Sequence, residues 1–328
     1  MFGRSIRGMF IFLLMMGFCF QADGTEAAEK LNYRLKWLFN TSVVGDLYAD
    51  FYGIFKANGL DVTLKEGGPE RDAIRELELG HAQFGVASAD QVIRARSKGA
   101  PVVVLAQIFQ ANPLQWIYRT SQPPILSPED LKGRVIGITY GGNDETIMRT
   151  LLAKGGIEER EVRLFSVRYD FTPFYQKKVD IWPVYRNSQG PILAEKLGKE
   201  REDVAFFDPS RFGVRFVANS VVTSERMVRE HPETVRNFIS ALLQGWREAL
   251  KTENRDKSLK MLGQFDRDTA PDIRSKQLSI TRNLIQPSHE VKIGTIDVEA
   301  WKQTEKIMLE QKLIPEPVFV EKVLMPQE

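Results

Sequence analysis

The chain has 328 residues, 43% of them hydrophobic and 27% charged, with a formal net charge of +2. Its 45 Lys and Arg nearly balance its 43 Asp and Glu and form no block, so the electrostatic footprint of a nucleic-acid binder is missing. A single cysteine, Cys19, excludes a disulfide framework and zinc sites built on thiolates.

Residues 1–28 read as an export signal. Arg4 and Arg7 make a basic start, and the apolar run 9–20 is shorter than the ~20 residues a bilayer span needs. Cleavage near Thr25, Glu26 and Ala27 would remove Cys19. Phe18 stands before that cysteine where bacterial lipid-anchor signals carry a small residue, which argues against lipidation. No later segment is apolar enough to span a membrane. Roughly 300 residues would remain, long for one core and suited to two lobes.

Strand and helix signals then alternate. Tyr33, Leu35 and Trp37 alternate with Arg34 and Lys36, which predicts a strand. Asn40, Thr41 and Ser42 form a turn with helix-capping chemistry. A helix follows over 47–57, closed by Asn58 and Gly59. A strand is predicted over 60–65, a polar helix over 70–79 and a third strand over 81–87. Ser88 and Asp90 cap a helix over 91–98, and the apolar run 101–107 suits a strand buried on both faces.

A strand over 114–119 precedes the Ser/Pro-rich stretch 121–133, which looks like passage into a second lobe. The alternation restarts there. Strands are predicted at 134–139, 162–167, 180–185 and 204–207, with helices at 144–154, 171–178 and 189–197. A strand over 214–222 returns the chain to the first lobe. One long helix capped by Ser224 follows, then helices at 257–265, 271–285 and 298–312. The expected fold is α/β with two lobes, 29–117 plus 223–328 and 118–222. Each would hold a mixed, mostly parallel sheet flanked by helices, with a hinge between them.

Short motifs carry a resemblance: Lys36-Trp37, 59–63 (GLDVT), Gly67-Gly68, 84–87 (FGVA), 98–102 (KGAPV), 130–133 (DLKG), 141–143 (GGN) and 231–236 (HPETVR). As an ordered set they resemble the ABC-transporter substrate-binding proteins of the nitrate/sulfonate/taurine and thiamine-pyrimidine-precursor group. The resemblance implies a type II periplasmic-binding fold and a solute held between lobes. It also implies a permease partner in the inner membrane, no catalytic residues, and no cofactor. A periplasmic monomer is expected.

Ligands of open α/β sheets bind outside the carboxyl ends of strands. Trp37 offers a flat face for stacking there. Asn40 and Ser42 either meet the ligand or cap the helix. Ser88, Ala89 and Asp90 open a helix after a strand, where Asp90 suits an amine or ring N–H and repels an anion. Gly141, Gly142 and Asn143 permit close backbone approach but match neither dinucleotide nor P-loop spacing. Gln110, Tyr185 and Asn187 complete the candidates. Relatives that bind pyrimidine precursors often carry Tyr-Asn-Glu where this chain has Tyr185, Arg186 and Asn187, so a pairing carboxylate is missing there. His81, His231 and His289 stand in no metal-binding array.

The expected solute is a small nitrogen-containing heterocycle stacked on Trp37, with a sulfonate, nitrate or other anion as the runner-up within the class. Two rivals differ in class. Eukaryotic pyrimidine synthases of thiamine biosynthesis share this fold but carry a cysteine-rich metal motif. A sensor input protein would use the same lobe surfaces.

Overall fold

The computed structural model describes residues 30–68, 71–167 and 170–326. The export-signal reading, Cys19, Pro69 and Glu70 lie outside these described residues. No described helix is long and apolar enough to cross a membrane.

Leu31 and Tyr33 bury their side chains from β1 (Lys30–Arg34). The strand stops short of Trp37, a correction to the sequence reading. Leu35 N–H still reaches Lys65 O at 2.8 Å, but Gly67 N–H then bonds Trp37 O at 2.9 Å and the chain leaves the ladder. The helix expected over 47–57 starts earlier and is split into α1 (Val44–Phe51) and α2 (Ile54–Ala57). Gly53 between them has φ 70°, a left-handed residue that an α-helix cannot contain.

Next come β2 (Asp61–Lys65), α3 (Ala73–Glu78), β3 (Phe84–Ala87), α4 (Ala89–Arg96) and β4 (Val102–Gln107). The third strand begins at Phe84, not His81, because His81 and Ala82 N–H both bond Glu76 O and finish the turn after α3. Then follow β5 (Leu114–Arg119), β6 (Val135–Ile138), α5 (Asn143–Lys154), β7 (Arg163–Ser166), α6 (Thr172–Tyr175), β8 (Ile181–Tyr185), α7 (Gln189–Lys199) and β9 (Val204–Phe207).

The strand predicted over 214–222 is only β10 (Ser220–Ser224). Upstream, Asn219 O accepts from Ile108 and Phe109, and Val217 O accepts from Ala89, so this backbone is committed to loop contacts rather than a ladder. The single long helix expected after Ser224 is α8 (Glu225–Glu230) and α9 (Pro232–Leu250). Pro232 lacks an N–H and drives His231 out of the helical region, to φ −131° and ψ 51°. The chain ends in α10 (Arg255–Phe265), α11 (Pro271–Ile285) and α12 (Val298–Glu310).

Among the described residues ten strands make two sheets, β2-β1-β3-β10-β4 and β7-β6-β8-β5-β9. The two are built alike. In each, four strands run one way, and the fourth in order runs against both neighbours. That reversed strand is the one arriving from the other sheet: β5 enters the second, β10 re-enters the first. The crossing segments are tied together, Ile108 N–H to Asn219 O at 3.0 Å and Asn112 Nδ2 to Phe216 O at 2.8 Å. The Ser/Pro-rich stretch follows β5, so the chain is already in the second sheet before it.

Apolar side chains pack both faces of each sheet. The largest cluster joins β1 and β3 to α1 and α9. There Phe238 stacks on Phe84 with centroids 3.6 Å apart, and Tyr33 meets its edge at 5.1 Å. Each such side chain contributes about 1.5–3 kcal/mol on burial. Gly45 and Gly245 let α1 and α9 approach closely: a Cβ on Gly45 would overlap the Trp246 ring, and one on Gly245 would lie 2.5 Å from Ala49 Cβ.

A candidate ligand cleft between the two sheets

Strand ends decide where the cleft lies. Lys36 and Trp37 follow β1, Gly68 follows β2, and Ser88 and Asp90 follow β3. From the other sheet, Thr139 to Asp144 follow β6, Val167 follows β7, and Tyr185, Ser188 and Gln189 end or follow β8. All of them except Tyr140 line one cleft of about 370 Å³. Val86, Phe171 and Trp182 add apolar surface.

Gly67 places Trp37. A Cβ there would overlap Leu35 O and the Lys36 carbonyl, so only glycine allows the two segments to touch. Trp37 itself is half-buried, with its partner loop capped by the Asn40 side chain accepting from Ser42 N–H at 2.8 Å.

The loop amides at the cleft are already bonded to side chains. Ser88 N–H donates to Gln91 Oε1 at 3.1 Å, and Ser88 Oγ donates to Asp90 Oδ1 at 2.5 Å. Across the cleft Thr139 N–H donates to Asp144 Oδ2 at 2.6 Å and Gly141 N–H to Glu145 Oε2 at 2.7 Å. Gly141 sits at φ 80°, and a Cβ on Gly142 would overlap Asp144 Oδ1, so this turn needs both glycines. Burial pushes the Asp144 carboxyl up to about 6 against the bonds it accepts from Thr139. Burial lowers the Lys36 amine below the usual lysine range, with Asp90 and Asp72 opposing. Lys36 and Arg71 thus share the cleft with Asp72, Asp90 and Asp144, a mixed wall with a surplus of carboxylates.

Of the sequence candidates, Trp37, Ser42, Ser88, Asp90, Gly141, Gly142, Asn143 and Tyr185 come together here. Four do not. Asn40 turns its side chain to its own 3₁₀ turn. Ala89 is fully buried behind the mouth. Gln110 bonds Gln107 O and Thr295 O beside a separate cavity between the crossing segments. Asn187 is fully buried and bonds Ser42 and Thr281.

Sequence reasoning missed Arg71, Asp72, Thr139, Asp144, Phe171, Trp182 and Asn219 as cleft residues. For Asp72 and Asp144 a signal was present: each opens a helix after a glycine-containing turn, as Asp90 does after its strand. Among the described residues no cluster of His, Cys, Asp and Glu is placed to hold a metal.

A family model described as NMT1/THI5 like matches residues 40–255. The riboflavin-binding protein RibY of Chloroflexus aurantiacus is 26% identical over 284 residues, 82% of this chain and 77% of that one. A formylaminopyrimidine-binding protein of Halalkalibacterium halodurans is 26% identical over 310 residues, 91% and 92% of the two chains. A Legionella pneumophila relative is named as an enzyme, 4-amino-5-hydroxymethyl-2-methylpyrimidine phosphate synthase, 22% identical over 72% of this chain and 73% of that one. In fold, the periplasmic aliphatic sulphonate binding protein SsuA from Escherichia coli superposes with TM-score 0.73 at 15% identity, over 92% and 93% of the two chains.

Proposed function

Because the chain belongs to the NMT1/THI5-like family, we propose that it is an extracytoplasmic solute-binding protein of an ABC importer. Its solute is a small nitrogen-containing heterocycle, stacked on Trp37 and held between the two sheets. Bending of the crossing segments closes the cleft, and the closed form meets the permease. The relatives named for riboflavin and formylaminopyrimidine support this solute class.

One observation favours a heterocycle over a sulfonate or nitrate. An anion site at a strand–helix turn needs free N–H groups and a positive helix end. Here the Ser88, Thr139 and Gly141 amides bond to side chains of their own turns, and Asp90 and Asp144 stand in the first turns of α4 and α5. Those carboxylates repel an anion and accept from amine or ring N–H groups.

Binding, not catalysis, is the reading for this chain. The eukaryotic synthases that share the fold carry a cysteine-rich metal motif, and no cysteine follows Cys19.

The test is a thermal-shift and calorimetric panel on residues 28–328 with formylaminopyrimidine, thiamine fragments, riboflavin, aliphatic sulfonates and nitrate. Ligand at ~100 times its dissociation constant adds about 2.7 kcal/mol of stability. Heterocycles should shift the melting temperature and sulfonates should not. Hits confined to sulfonates or nitrate would overturn the solute class, and silence across the panel would overturn the solute-binding role.

A further inference from the structure

Behind the cleft a buried polar seam joins three distant segments. Asn187, just after β8, donates from Nδ2 to Ser42 Oγ at 3.2 Å and to Thr281 Oγ1 at 3.0 Å. Thr41 Oγ1 donates to Gln277 Oε1 at 3.1 Å, and Gln277 Nε2 donates to Ser188 O at 2.9 Å. Asn187, Thr41, Gln277 and Thr281 are all at most 2% exposed. Helix α11 therefore holds the 41–42 turn of one sheet against the 187–188 turn of the other.

The hydrogens in this seam are unevenly used. Both Asn187 amide hydrogens are committed, while its Oδ1 is buried without a partner. An orphaned buried acceptor costs stability, so the amide is there for what its donor side does. One of its two donor bonds ends on Ser42, which lines the cleft. A hydroxyl that accepts from Asn187 still has one hydrogen to give. That hydrogen meets no acceptor among the described residues.

We propose that Asn187 is a positioning residue. By donating to Ser42 Oγ, it fixes the Ser42 hydroxyl as a hydrogen-bond donor into the cleft, matched to an acceptor atom of the solute such as a ring nitrogen or carbonyl oxygen. The inference rests on the solute-binding reading above and deepens it. Gln277 keeps the geometry by holding the neighbouring Thr41 and Ser188.

The experiment is a double-mutant cycle in residues 28–328, read by calorimetry with formylaminopyrimidine and with riboflavin. Asn187→Asp replaces the donor with an acceptor, and the Ser42 hydroxyl turns toward it and away from the cleft. Affinity for the probe that binds should fall about tenfold, as it should in Ser42→Ala. In the Ser42→Ala background, Asn187→Asp should cost less than about twofold more. A purely structural Asn187 gives losses that add, and that result, or wild-type affinity in Asn187→Asp, overturns the inference. A buried carboxylate destabilises the fold, so Asn187→Ala runs in parallel. It frees the hydroxyl without reversing it, and its smaller loss should also vanish in the Ser42→Ala background. Wild-type protein that binds neither probe strikes at the solute-binding reading itself, which separates that failure from additive losses in a protein that binds.

Discussion

Gly67 N–H donates to the carbonyl of Trp37 at 2.9 Å, and the glycine has no Cβ because the Leu35 and Lys36 backbone occupies that space. The aromatic wall of the cleft is thus set by a residue on the neighbouring strand's exit loop. Gly67→Ala should destabilise the chain by about 1–3 kcal/mol through overpacking and weaken ligand binding together with it. Gly198→Ala is the control. Its Cβ would meet nothing within 4 Å, and alanine in a helix should stabilise by roughly 0.5–1 kcal/mol. Equal melting temperatures for the two variants would refute the close-contact account.

Trp37→Ala tests the stacking wall itself. Affinity for a heterocyclic ligand should drop at least tenfold, about 1.4 kcal/mol, in the folded variant. Unchanged affinity in a folded variant removes Trp37 from the site.

Asp46 sets a pH dependence. Burial pushes its carboxyl up to about 7, opposed by the Tyr33 hydroxyl, which donates to it at 2.6 Å. The folded chain then keeps a proton that the unfolded chain releases near pH ~4. This group's stabilisation is complete below about pH 4, declines as pH rises, and is gone above about pH 7. Asp144, raised to about 6 by burial, acts with the same sign over a narrower window. Melting temperature should therefore fall between pH 5 and pH 8, and Asp46→Asn should remove much of that fall. An identical fall in the variant would mean that Asp46 is ionised throughout.

Helix packing supplies a prediction away from the cleft. A Cβ on Gly245 would lie 2.5 Å from Ala49 Cβ and 2.7 Å from Gly45 O. Gly245→Ala should cost about 1–3 kcal/mol in chemical denaturation while the folded fraction keeps its ligand affinity. A loss of affinity without loss of stability would contradict the placement of this contact behind the core.

The strand–helix alternation was legible because period-two and helical apolar patterns survive in the sequence. Leu31 and Tyr33 mark β1, and Val235, Phe238, Leu242, Trp246 and Leu250 mark α9. The element ends were less legible. Trp37 continues the alternation of β1, yet a contact with Gly67, thirty residues away, takes it out of the strand. Val214 to Val222 reads as a strand from side chains alone, but the Asn219 carbonyl is taken by the other crossing segment. The cleft was partly legible because strand-end loops bear polar and glycine residues. Asn187 was found as a candidate, but its burial behind Ser42 depends on α11, ninety residues further on, and no local pattern encodes that.

The reversed strands have a consequence for synthesis. The second sheet is complete once β9 has emerged, because all five of its strands lie between Leu114 and Phe207. The first sheet is not. β3 and β4 are not neighbours; β10 stands between them and pairs with both. Until Ser224 leaves the ribosome, β1, β2 and β3 form one ribbon and β4 has no partner, each with a bare edge. A fragment covering 113–213 should therefore fold without the rest, whereas 30–112 should stay sticky and unassembled. Between Phe207 and Ser224 the growing chain carries a finished inner sheet inside an unfinished outer one.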